Sequence, residues 1–306
     1  DIRIGHMKLT IFTPTYNRSY TLQRLFESLQ RQSDKRFEWL ICDDGSEDNT
    51  EEIIKQFIDQ TDDFQIKYLK QQHGGKHRAQ NFAINQAEGD YFITCDSNKF
   101  LVADAVEKIL FMFASLEKNT KICGVGGYRA DFQGNVYGGK MHLNGKYIDC
   151  TNLERAQFNL NGDKATAFYT KILKKYPFPE FENEYFISES AWLTPMAMDG
   201  YKIRWFPEIL VYGEYTDDGL TKQGANEYRG HYNNYYGFLY VLNWEIKAYG
   251  ILKKLPELYE AIDIARKKEV NKKELCKKLQ ISKRTLQIYI IRNKLGKAKR
   301  LILNRI

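Results

Sequence analysis

The chain has 306 residues, of which 43% are hydrophobic, 28% charged and 14% aromatic, a balance that suits one large or two modest globular domains and excludes disorder and fibrous repeats. No stretch reaches the roughly 20 apolar residues that span a bilayer, the longest uncharged aromatic run being His231 to Trp244. The net charge of +7 hides an asymmetry: Asn271 to Ile306 carries twelve Lys or Arg against Glu274 alone, while the rest holds 34 basic and 38 acidic residues.

Residues Asp1 to His6 are expected to be an expression-vector scar before a start at Met7, with no secretory segment following, which predicts a cytoplasmic protein. Five scattered cysteines without CxxC spacing predict buried thiols, with neither a disulfide framework nor a zinc site. Leu9 to Thr13 is a short apolar run closed by Pro14, and Leu22, Leu25, Phe26 and Leu29 then recur at helical spacing. Phe37 to Cys42 predicts a second strand ending at Asp43-Asp44-Gly45-Ser46, with Asp48 or Asn49 capping the helix that carries Ile53, Ile54, Phe57 and Ile58. A third strand at Ile66 to Leu69, a helix from Lys76 to Ala87, a fourth strand at Tyr91 to Cys95 and a helix through Val106, Ile109, Leu110 and Phe113 continue the alternation. That order predicts an α/β fold with a mostly parallel central sheet flanked by helices, whose ligands sit at the carboxyl ends of the strands.

After Lys121 the pattern shifts to strand segments at Ile122 to Arg129 and Asn135 to Tyr137, a Pro- and aromatic-rich loop at Tyr176 to Phe186, and a helix from about Glu189. From Asn226 the chain is expected to be helical to its end, with Tyr228, Tyr232, Tyr235, Leu239, Leu242 and Ile246 forming a stripe that packs on the body. The domain division expected is 7–225, with a nucleotide-binding half at 7–100 and an acceptor-side half at 101–225, followed by a helical C-terminal region at 226–306 with a basic tail.

The strand ends gather Thr13-Pro14-Thr15-Tyr16-Asn17-Arg18, Asp43-Asp44-Gly45-Ser46, Gly74-Gly75-Lys76-His77-Arg78 and Asp96-Ser97-Asn98. Carboxylates there suit a nucleotide, accepting from base and ribose and holding a divalent ion against a diphosphate. In order and spacing these segments resemble the inverting family 2 glycosyltransferases of the GT-A (nucleotide-diphospho-sugar transferase) fold, over about residues 8 to 222. The resemblance implies a bacterial enzyme of cell-surface polysaccharide biosynthesis that uses a nucleotide sugar, expected to be a UDP-sugar. It implies that Thr13, Pro14, Tyr16, Arg18 and Asp44 hold the nucleoside, and that Lys76, Arg78, Asp96, Ser97 and Lys99 complete the donor site. The Gly-Gly-Lys-His-Arg segment opens a helix, whose N-terminus favours anions.

In that family the metal motif runs Asp-Ser-Asp-Asp, whereas here it is Asp96-Ser97-Asn98-Lys99. Asp96 and Asn98 would ligate Mn²⁺ or Mg²⁺, with weaker affinity because Asn98 brings no charge and Lys99 adds a positive one. Three readings stay open: a weakened working site, a metal-independent site in which Lys99 neutralises the diphosphate, or a site altered by mutation. A carboxylate followed closely by Trp at the start of an inward helix is the family's general base, which points to Glu189 in Glu189-Ser190-Ala191-Trp192, with Glu182 and Glu184 as alternates. Trp192 either lines the acceptor side or packs, and Asp218 has a donor-side resemblance.

In the tail, Ile288, Ile291, Leu295, Ala298 and Ile302 recur at spacings of 3, 4, 3 and 4 among Lys and Arg, the pattern of a helix on an anionic membrane surface beside a lipid-linked or glycan acceptor. Such a helix predicts a peripheral enzyme on the inner face of the plasma membrane. The alternatives are a packed or oligomerising helix and, less favoured, a nucleic-acid-binding helix-turn-helix over Lys273 to Leu286 whose turn lacks the usual Gly. A nucleotidyltransferase would need a Gly-rich loop after the first strand, and Thr13 to Arg18 has none. A third reading, motivated by Asn98 and Lys99, is a degenerate transferase that binds a sugar nucleotide without catalysis. Nothing in the sequence sets an oligomeric state.

Overall fold

The computed structural model describes residues 8–117, 120–213 and 230–303, with side chains as far as residue 295. It divides into two compact units, one of Asp1–Phe178 with Pro195–Ala225 and one of Pro179–Thr194 with Asn226–Ile306.

In the first unit, β1 (Leu9–Thr15), β2 (Phe37–Asp43), β3 (Gln65–Lys70) and β4 (Tyr91–Thr94) pair in parallel in the order β3-β2-β1-β4. They are joined by α1 (Ser19–Gln30), α2 (Thr50–Asp59) and α3 (Lys76–Gln86), the crossover helices that parallel pairing requires. All seven residues of β2 are buried, as expected for a strand covered on both faces. β3 lies at the edge, and its partly exposed residues include Lys67 and Lys70. Phe26 stacks on Phe57 at 4.3 Å, and Trp39 lies within 6.1 Å of Phe26; each such buried side chain stabilises by about 1.5–3 kcal/mol.

Beyond β4 the sheet changes direction. After β5 (Phe100–Leu101) and α4 (Ala105–Ala114) come β6 (Ile122–Ala130), β7 (Ile148–Cys150), β8 (Lys164–Tyr169), α5 (Thr170–Leu173), α6 (Ser190–Met198) and β9 (Lys202–Tyr212). β8 is antiparallel to both β4 and β6, so β6 again runs parallel to β4, and β9 runs parallel to β6. The expected parallel order therefore holds for the first four strands, and antiparallel pairs with β8, β5 and β7 complete a mixed nine-stranded sheet among the described residues. The strand expected at Asn135 to Tyr137 is only a bridge between Ala130 and Val136, because Asp131 folds the intervening residues into a turn by accepting from the Gln133 and Asn135 amides. All five cysteines are buried thiols.

In the second unit, α7 (Tyr235–Tyr249) packs with α8 (Leu255–Lys267), α9 (Lys272–Leu279) and α10 (Lys283–Leu303). The C-terminal region is helical as expected, but α7 begins only at Tyr235, after a turn at 230–234, and Tyr228 lies outside the described residues. Tyr232 is 47% exposed, whereas Tyr235, Leu239 and Leu242 are buried with Leu258, Ala261 and Leu275. The stripe thus packs within its own helical unit. Between α9 and α10, Gln280 takes the left-handed conformation (φ +53°) that glycine usually supplies.

Candidate active site

The carboxyl ends of β1, β2, β4 and β6 share one edge of the sheet, since these strands run parallel to one another. At the end of β1, Thr13 is fully buried and its hydroxyl accepts from the Trp39 indole at 2.9 Å, which ties its side chain to the core. Pro14 is half-buried in the sheet opposite Cys42. Arg18 is half-buried just before α1, its carbonyl accepting from the Thr21 amide and hydroxyl. Asn17, at φ +49°, ties this segment to the second motif: its amide donates to Ser46 Oγ at 2.9 Å and its Oδ1 accepts from the Glu47 amide at 2.8 Å. Asp48 accepts from the Ser19 amide with Oδ2 and from the Thr50 amide and hydroxyl with Oδ1, so one carboxylate serves the first turns of both α1 and α2. Partial burial raises its pKa, but the hydrogen bonds from Thr50 and Ser19 outweigh this and hold it below the ordinary value.

Asp44, 4% exposed, grips the Gly-Gly loop. Its Oδ1 accepts from Gln71 Nε2 at 2.6 Å and from the Gly74 amide at 2.9 Å, and its Oδ2 accepts from the Gly75 amide at 2.8 Å. His73 Nδ1 lies 2.9 Å from the same Oδ2, and the His73 ring stacks on Tyr16 at 4.2 Å. Tyr16 is 41% exposed, an aromatic face available beside this loop. Gly75, at φ +94°, precedes α3, which carries no acidic residue in its first turn. Arg78 folds back so that Nη1 donates to the Gly74 carbonyl at 2.6 Å. Gln71 and His73, not anticipated from the sequence, are held here by contacts across the sheet.

From α3, Lys76 Nζ reaches Asp96 Oδ1 at 2.8 Å, and Arg129 Nη2 lies 3.7 Å from Asp96 Oδ2. Arg129 comes from the carboxyl end of β6 and also donates to Asp163 Oδ2 at 2.9 Å. Lys99, only 6% exposed, closes the turn by donating its amide to the Asp96 carbonyl at 2.9 Å. Burial raises the Asp96 pKa, yet the charges of Lys76, Arg129 and Lys99 prevail and hold this carboxyl well below the usual carboxylate range. Burial, reinforced by Arg129, pushes the Lys99 ammonium downward. Ser97 is buried and Asn98 half-buried.

This donor set does not fit a divalent ion. Both Asp96 oxygens face protein cations, Asn98 is neutral, and among the described residues no cluster of three His, Cys, Asp or Glu could hold a metal. A metal ion would add a further positive centre to a neighbourhood that already holds three.

The remaining candidates belong to the second unit or lie outside the described residues. Glu189 is exposed immediately before α6, its carbonyl accepting from the Trp192 and Leu193 amides. Trp192 is 5% exposed, which favours packing of the two readings open for this ring. Glu184, an alternate base, is 4% exposed and accepts from the Tyr236 and Gly237 amides at 2.6 and 2.8 Å, capping α7. Asn234 Oδ1 answers by accepting from the Tyr185 and Phe186 amides. Glu182 is exposed, and Asp218 lies outside the described residues.

A model of the family described as glycosyl transferase family 2 matches residues 10–176. Glycosyltransferase GlyA of Streptococcus pneumoniae serotype 4 is 26% identical over 219 residues, 71% of this chain but 27% of its own length, so the chain matches about a quarter of that relative. Among solved structures, S. aureus TarS 1-349 in complex with UDP-GlcNAc aligns with a TM-score of 0.59 at 17% identity, covering 85% of this chain and 81% of that one. The mannosyltransferase PcManGT from Pyrobaculum calidifontis, in complex with GDP-Man and Mn²⁺, aligns with a TM-score of 0.54 at 15% identity, covering 95% and 87%. At these identities the likeness shows the shared GT-A fold.

Proposed function

The chain belongs to glycosyltransferase family 2, and from that premise we propose that it transfers a sugar from a UDP-sugar to a hydroxyl of a glycan or lipid-linked acceptor, with inversion. One observation carries the donor reading: the four strand-end motifs are joined by direct contacts, from Tyr16 to His73, Asp44, Gly74 and Gly75, and then from Lys76 to Asp96 and Arg129. An exposed aromatic face at one end suits a base, and a cationic helix start at the other suits a diphosphate. The TarS complex with UDP-GlcNAc supports a UDP-sugar as the donor class.

In this reading Glu189 takes the proton of the acceptor hydroxyl as its oxygen attacks the anomeric carbon from the face opposite the diphosphate. The anomeric C–O bond to the diphosphate breaks with its electron pair staying on the nucleotide, a single displacement. Mn²⁺, which accompanies GDP-Man in PcManGT, would act as a Lewis acid on the diphosphate, but the residues of this chain do not fit it and no step is routed through it.

For the acceptor side, α10 turns Leu286 and Tyr289 inward and leaves Ile288, Ile291 and Leu295 exposed by 56%, 49% and 65% beside exposed Lys283, Arg284, Arg292 and Lys294. Ala298 and Ile302 lie beyond the described side chains. An apolar stripe flanked by cations supports an anionic membrane surface over nucleic acid, which would want polar groups there. No helix among the described residues is long and apolar enough to cross a membrane. The cytoplasmic face of the plasma membrane, where lipid-linked acceptors would be met, is the location this favours.

The test is a calorimetric titration of nucleotides and nucleotide sugars, followed by a coupled assay for UDP release. Saturable binding of one UDP-sugar with acceptor-dependent UDP release supports the transferase. Binding without release or donor hydrolysis would instead identify a degenerate, non-catalytic binder.

A further inference from the structure

We infer that Lys76, Lys99 and Arg129 take the place of a divalent ion against the donor diphosphate, so that donor binding in this protein needs no metal. The inference rests on the transferase reading and adds Arg129 as a donor-binding residue.

Asp96 is the sole carboxylate of its motif, since Asn98 and Lys99 occupy the next-but-one and following positions. Its two oxygens are divided between Lys76 Nζ at 2.8 Å and Arg129 Nη2 at 3.7 Å, an arrangement that gathers cations where a metal would otherwise gather carboxylates. Counted locally, Lys76 and Arg129 pair with Asp96 and Asp163, and the nearby charge of Lys99 leaves a surplus of positive charge for an incoming anion.

These cations are held in place. Lys99 runs over Gly213, where a Cβ would come within 2.2 Å of Lys99 Cδ, so the lysine chain occupies space that only glycine leaves open. Arg129 is 12% exposed at its side chain, and its Nε is buried with no hydrogen-bond partner among the described residues. A planar guanidinium with a donor to spare is suited to an anion with several oxygens, such as a phosphate, which Arg binds in a forked geometry. Lys76 stands at the first position of α3, so its ammonium and the helix dipole act on the same anion. The burial of Lys99 and Arg129 strengthens their attraction for an anion, and their positions are fixed before the ligand arrives.

UDP itself is the probe, titrated calorimetrically into the full chain with chelator and with Mn²⁺. Equal affinity in both conditions is expected. Arg129→Gln and Lys76→Gln should each weaken UDP by roughly 10- to 100-fold with or without metal, the loss of one charge-assisted contact. Lys76 is one-third exposed, so its variant remains informative if the buried Arg129 variant fails to fold. The double variant Asn98→Asp with Lys99→Asp, which restores the acidic motif, should make UDP binding depend on Mn²⁺. Wild-type binding that appears only with Mn²⁺ overturns the inference and leaves the transferase reading standing. A folded wild-type protein that binds UDP under neither condition sinks both, and unchanged affinity in the two Gln variants removes Lys76 and Arg129 from the donor site.

Discussion

Asp44 holds the Gly74 and Gly75 amides at 2.9 and 2.8 Å, one on each carboxylate oxygen, and so fixes the loop that starts α3. The residue expected to meet the nucleoside is therefore also the clasp of the neighbouring segment. Asp44→Asn would turn an NH₂ toward one of those amides, leaving a buried donor unsatisfied. It should lower stability by about 1–3 kcal/mol, read from the midpoint of urea unfolding, and weaken UDP binding beyond that loss.

Glu184 and Glu189 separate a cap from a base. Glu184→Gln should reduce stability by about 0.5–2 kcal/mol through the α7 N-terminus while leaving the turnover of the folded enzyme near wild type. Glu189→Gln should lower kcat by about 10²- to 10⁴-fold with little change in the melting temperature or in UDP affinity. Steady-state kinetics beside thermal melts decide between the two, and the reverse pattern would make Glu184 the base.

Gly124 lets β6 and β8 approach, because a Cβ there would lie 2.3 Å from the Ala167 carbonyl oxygen. Gly124→Ala must move backbone, and should cost about 1–3 kcal/mol, seen as a lowered melting temperature. A variant that melts with wild type would show that the strands have room to part.

The thiols should be inert in the native state. Burial, aided by Asp44 and Asp43, pushes Cys42 up to about 12, and burial likewise carries Cys95 and Cys123 to about 12. Labelling by a thiol reagent at neutral pH should proceed only on unfolding, and prompt labelling of any of these three would contradict their burial.

The first four strands and three helices were legible because short apolar runs alternate with helical segments and several are closed by Gly, Pro or Asp, as at Pro14, Asp43 and Gly89. β8 and β9 were not. β9 contains Pro207, and its register against β6 slips between the Gly126–Trp205 and Tyr128–Ile209 pairs, so no regular period survives in the sequence. Without β8 the direction of β6 is undetermined, and Arg129 looks like one polar residue ending an apolar strand. Once β8 reverses the sheet, that position falls at the same edge as Asp44 and Asp96. The motif residues could be named from their resemblance to the family's motifs, whereas the burial of Thr13 and Trp192 and the capping role of Glu184 depend on partners distant in the chain. Glu184, for instance, is separated from the amides it holds by more than 50 residues.

The shared carboxylate of Asp48 makes the beginnings of α1 and α2 a single opening unit. Protection of the Ser19 and Thr50 amides against hydrogen exchange should therefore rise and fall together, although 31 residues separate them. Because the pKa of Asp48 is lowered in the folded state, its contribution is present above the ordinary carboxylate value and disappears as the pH falls through the lowered one. Acid should then release both helix starts in one step, in Asp48→Asn both should be loosened already at neutral pH, and protection lost at one amide alone would show that the two helices fray independently.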